Sequence, residues 1–117
     1  MNLTEVDRIG IESESGRVTL SILDDLEWDV GNEHILQLQE KLNLYLGFIE
    51  SGEMKEAYPD SIDRAVGIRI FFTHWPPTVV AHEFLRRVRE TLSGIGISLN
   101  AMGSVSGRMV ELDLQVE

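Results

Sequence analysis

The side chains of this 117-residue chain that could do chemistry are few, and spacing ties almost none of them together. His34, His74 and His82 form no HxH, HxxxH or HExxH pair, the spacings that bring two imidazoles onto one metal. His34 lies near Glu33 and Asp29, a thin donor set for an ion. Glu50 is a general base by chemistry, but no histidine or nucleophile is set beside it. The absence of cysteine excludes disulfides, thiol catalysis and Cys-based zinc sites. The GIGIS segment Gly94–Ser98 leads from a helix into a strand, the reverse of a phosphate loop, and no Walker or GxSxG pattern occurs. The sequence therefore assigns no catalytic residue, no metal and no cofactor.

Binding chemistry has more to work with. The loop Asp25-Leu26-Glu27-Trp28-Asp29 alternates acids around a tryptophan. It is not a calcium loop: counted from Asp25, the glycine position holds Val30 and the bidentate glutamate position holds Leu36. Trp28 either anchors an interface with Asp25, Glu27 and Asp29 as its rim, or folds back over the following helix. Leu44 and Phe48 lie one helical turn apart and away from the expected core stripe. They need cover, from the Met54–Ile62 loop or from another chain, and so mark a candidate interface. Asn43 and Glu50 lie beside that stripe as a candidate polar pocket edge. Arg86, Arg87 and Arg89 form the only basic cluster, and Glu83 and Glu90 stand at pairing distance along the helix.

These residues must be held by a small set of elements. Val6, Ile9 and Ile11, then Val18, Leu20 and Ile22, alternate around a turn at Ser13–Gly16 and predict an opening hairpin. A long helix follows, capped by Asp29 or Asn32 and closed near Gly52, with Ile35, Leu38, Leu42, Tyr45, Leu46 and Ile49 as its core face. Val66–Phe72 predicts a third strand. Pro76-Pro77 and a Thr78 cap start a second helix, whose expected inner face is Val80, Ala81, Phe84, Leu85, Val88 and Leu92. Ile95, Ile97 and Leu99 predict strand four, and Val110, Leu112, Leu114 and Val116 predict strand five beyond a turn at Ser104–Gly107. The order ββαβαββ implies a single α+β domain over residues 1–117. It is a two-layer sandwich with two helices on one face of a mainly antiparallel or mixed sheet. The other face, with Ser98, Asn100, Glu111 and Asp113, is expected to be wet. Phe71 is the exception there.

Charge narrows the partners. The net charge is -10, and residues 1–33 hold nine acids against Arg8 and Arg17. Such a field repels nucleic acid and anionic membranes and favours basic partners. The N-terminus lacks a signal-peptide pattern and no membrane span is expected, which points to the cytoplasm.

The segments SILDDLEW at Ser21–Trp28, LQEKLNLYLGFIESGE at Leu38–Glu53 and YPD at Tyr58–Asp60 together resemble a family of small bacterial proteins of unknown function. The resemblance covers roughly residues 5–100, and the last strand, Arg108–Glu117, extends beyond it. It implies a compact α+β fold and carries no catalytic residues. Three functions are open on these grounds. The first is a non-enzymatic protein-interaction module, an adaptor or an immunity-type inhibitor of a basic toxin. The second is a ligand-binding or weakly catalytic domain with a pocket beside the long helix, using Asn43, Glu50 or Tyr58. The third is a structural subunit that assembles as a homodimer.

Overall fold

The computed structural model describes residues 1–115. Strands β1 (Arg8–Ile11), β2 (Val18–Asp24), β3 (Val66–Phe72), β4 (Ile97–Val105) and β5 (Arg108–Glu111) form one sheet in sequential order. The outer pairs are antiparallel hairpins; β2–β3 and β3–β4 are parallel. Parallel neighbours need long crossovers, and helices α1 (Glu33–Glu50) and α3 (Val79–Ser93) supply them. The sheet is therefore mixed, and the α+β two-layer arrangement in the order ββαβαββ is what the chain adopts.

Alternation decides which side each strand buries. Val18, Leu20, Ile22, Ile68, Ile70, Phe72, Ile97, Leu99 and Ala101 point to the helix layer and are buried. Leu38, Leu42 and Tyr45 of α1 and Ala81, Leu85 and Leu92 of α3 close over them. The side chain of Thr78 accepts from the Ala81 N–H at 3.1 Å, the cap expected for α3. The Ser104–Gly107 turn is tighter than expected. Only Ser106 (φ 51°) and Gly107 (φ 78°) leave the strands, both left-handed, the pair a type I′ hairpin demands.

Five expectations shift. Strand β4 begins at Ile97, and Ile95, expected within it, is exposed in the turn before it. The chain beyond Gly52 is not plain loop: it forms a short helix α2 (Glu53–Ala57), which buries Met54, and a 3-10 turn at Pro59–Ser61. The buried arc of α1 is rotated toward Lys41, so His34 and Lys41 are buried while Ile35, Leu46 and Ile49 are half-buried. Val80 of α3, expected inside, is exposed. Strand β5 ends at Glu111. Leu112 still donates its N–H to the Ala101 carbonyl of β4 at 2.8 Å, Asp113 to Gln115 run on outside the strand although Leu114 is buried, and Val116 lies outside the described residues.

Candidate functional site

At the carboxyl ends of β2 and β3 the chain builds a polar centre that hydropathy alone does not reveal. Asp24, the last residue of β2, and His34, in the first turn of α1, are both buried and meet at 2.6 Å between Oδ2 and Nε2. Asp24 Oδ1 accepts from the Leu26 N–H at 3.1 Å. Burial raises the Asp24 carboxyl above its ordinary value, and the hydrogen bond to His34 opposes that rise. Trp28 stacks on the His34 ring at 3.9 Å between centroids, lies against Phe72, and donates its indole N–H to the His74 carbonyl at 2.8 Å. Thus Trp28 folds back over the start of α1, the second of its two readings. Asp29 caps that helix: its carboxylate accepts from the Glu33 and His34 N–H groups at 2.9 and 3.0 Å. Those two bonds, His34 first, hold the Asp29 carboxyl below its usual value. Asn32 makes no side-chain cap bond. Of the acidic-aromatic loop, Asp25 and Glu27 remain exposed, while Trp28 and Asp29 are largely committed inward.

An Asp–His pair is also the orienting half of a hydrolytic triad. Here both members are enclosed, and His34 Nδ1 has no hydrogen-bond partner among the described residues. With no access for a substrate, the pair fastens the loop to the helix.

A second buried polar group lies farther along α1. Lys41 Nζ donates to the Asn2 carbonyl, to the Glu5 carbonyl at 2.6 Å and to Asp7 Oδ1 at 2.9 Å. Next to it, the Tyr45 hydroxyl donates to the Ser21 carbonyl at 2.5 Å and accepts from the Asp7 N–H at 2.7 Å. Burial pushes the Tyr45 hydroxyl's pKa up. These bonds strap residues 2–7 along one flank of α1. Leu44 and Phe48, on that same flank by helical projection, are half-buried against the core. Their cover is therefore partly internal.

The other flank of α1 is open. Between α1 and α3 lies a groove formed by two cavities of 230 and 590 Å³, which share Phe84 and Arg87. The smaller is floored by Leu42, Leu46, Val88 and Leu92, with Asn43 and Gln39 on its rim. The larger, at the amino ends of both helices, is walled by Ile35, Leu36, Val79 and Val80. Leu36, Val79 and Val80 are 55%, 86% and 56% exposed, an unusual expense of apolar surface for a free chain. Glu50 does not belong to this groove. It borders a separate cleft of 390 Å³ at the other end of α1, with Met54, Lys55, Ser61 and Asp63. Asn43 and Glu50 are thus not two sides of one pocket, and Tyr58 lines neither space. Among the described residues no three metal-ligating side chains converge, and no helix is long and apolar enough to cross a membrane.

A model of a family of unknown function, DUF6572, matches residues 1–104. The chain belongs to that family. The match spans every element of the DUF6572 chain up to the last residue of β4 but one, and leaves out β5. No curated protein and no solved structure matches it. The family thus fixes kinship without naming an activity.

Sequence reasoning missed His34, Asp24 and Lys41 as interior residues. The signal for Lys41 was its place one turn before Tyr45, between Leu38 and Leu42, where a lysine must either snorkel or find oxygen partners. For Asp24 the signal was its parity with Val18, Leu20 and Ile22 in one strand.

Proposed function

We propose that the chain is a non-enzymatic protein-interaction module that takes an amphipathic, basic helix of a partner protein into the groove between α1 and α3. The observation that supports this reading most directly is the exposed apolar wall of Leu36, Val79 and Val80 above a floor that continues to Leu92. From Val79 to Leu92 the groove follows about 20 Å of helix, room for roughly four turns of a docked helix with anchors at i, i+3, i+4 and i+7. Charge suits a basic occupant. Glu33, Glu40 and Glu83 stand exposed on the two helices, Arg87 is paired with Glu83 at 3.4 Å, and the chain carries -10 overall. An adaptor, or an inhibitor of a basic toxin, needs that combination.

The test is calorimetric titration with a synthetic peptide of about 14 residues, leucine on one face and lysine on the other. A scrambled peptide of equal charge serves as the control. Saturable binding by the amphipathic peptide alone, weakened at least tenfold by Leu36→Asp with Val80→Asp, is the expected result. Equal binding of both peptides, or binding untouched by the two substitutions, sinks the reading.

A further inference from the structure

Strand β4 is longer than the strand beside its outer edge. β5 pairs with Met102–Val105 and Leu112 reaches the Ala101 carbonyl, which leaves residues 97–100 with no strand beyond them. Where that edge passes the end of α3 lies a cavity of 160 Å³. Arg17, Arg89, Ser93, Ser98 and Asn100 supply its polar wall, and no carboxylate lines it. By helical projection Arg89 and Ser93 leave α3 on the flank away from Phe84 and Val88, so this space is separate from the groove.

Its donors are held in place. Arg17 lies across Gly67 and donates to the Ser98 hydroxyl at 3.1 Å. A Cβ on Gly67 would stand 2.5 Å from that hydroxyl and 3.1 Å from Arg17 Cδ, so glycine is what leaves room for the crossing. Because the Ser98 oxygen accepts from Arg17, its own proton remains to be donated, and no side chain or carbonyl takes it among the described residues. Arg17 and Arg89 are half-buried, and neither has an ion pair among the described residues. Acids on the adjoining sheet are engaged elsewhere. Glu12 pairs with Arg69 at 3.1 Å and accepts from Thr19 at 2.7 Å, and Glu111 accepts from the Asn100 amide at 3.2 Å. The last carbonyls of α3 are engaged too: those of Glu90, Leu92 and Ser93 accept from the N–H groups of Gly94, Ile95 and Gly96 at 3.2, 3.0 and 3.1 Å.

Two unpaired guanidiniums at one cavity run against the charge of a chain that carries -10, and they call for an anion. A carboxylate has two oxygens. This wall offers two guanidinium forks and two hydroxyls, a set that suits the three oxygens of a phosphoryl group. The cavity has the volume of about five liquid waters, room for one such group. Nucleic acid, a chain of such groups, is repelled by the net charge. We propose that the pocket at the β4 edge binds the phosphoryl group of a small soluble solute, either free phosphate or a phosphate monoester.

Calorimetric titration of the full chain with inorganic phosphate tests this, at constant ionic strength and with sodium chloride as the control. One saturable site is expected. Arg17→Gln and Arg89→Gln should each weaken it at least tenfold. Arg108→Gln removes the same charge from β5, outside the pocket, and should leave it unchanged. Arg89 has no ion pair to lose, so its variant keeps the proposal testable if Arg17→Gln fails to fold. Glycerol 3-phosphate separates the two sources. If it binds as tightly as phosphate, the ligand is a monoester; if phosphate alone binds, the ligand is the free ion. No saturation by either probe overturns the proposal. So does an affinity that ignores Arg17→Gln and Arg89→Gln, or one that falls equally with Arg108→Gln, which reduces the effect to net charge.

Discussion

Asp24 and Asp29 flank one loop and answer pH in opposite senses. Burial lifts the Asp24 carboxyl, so between the ordinary aspartate value and that raised value the folded chain holds a proton that the unfolded chain has lost. The stability that Asp24 contributes is complete below this window and declines as pH rises through it. Asp29 is held low by the N–H groups of His34 and Glu33. Its contribution is present above the ordinary aspartate value and is lost as pH falls through the lowered one. Urea midpoints measured from about pH 3 to pH 7 separate the two. Asp24→Asn should remove the decline on the rising side, and Asp29→Asn the loss on the acid side. A profile left unchanged by both substitutions contradicts the buried pair and the cap. Lys41 is the other residue with an outsized role. Lys41→Met leaves two carbonyls and the Asp7 carboxylate without their cation and should cost about 3 kcal/mol, read as a lower urea midpoint.

The elements owe their positions to contacts between segments far apart in sequence. Trp75 packs on the end of β4 only because position 103 is glycine. A Cβ there would stand 2.0 Å from Trp75 Cε3. Gly103→Ala should cost about 1–3 kcal/mol and shift tryptophan emission to longer wavelength as Trp75 is displaced. An unshifted spectrum and an unchanged midpoint count against that contact. Period-two alternation made Val18–Ile22, Val66–Phe72 and Ile97–Leu99 readable as strands, and Pro76-Pro77 with Thr78 made the start of α3 readable. What alternation could not supply was partners. Lys41 counts as polar until residues 2–7 are known to lie over it, and Asp24 counts as solvated until His34 closes on it. The groove was illegible for the same reason. Val80 and Leu36 read as apolar in any projection, and only the placement of α1 beside α3 decides that they line an open space. Trp28 was half-legible: sequence offered an interface anchor or a fold back over the helix, and only the His34 ring beneath it decides for the second.

For the whole molecule, charge acts on the groove from a distance. A cationic helix approaching the α1–α3 groove is drawn by the net charge of -10, and added salt screens that attraction, with a Debye length of about 8 Å at 0.15 M. Peptide affinity should therefore fall at least tenfold between about 0.05 and 0.5 M salt, measured by titrating the amphipathic peptide at each salt concentration. An affinity that ignores salt would mean that the apolar wall binds without help from the acids, and the case for a basic occupant would fall.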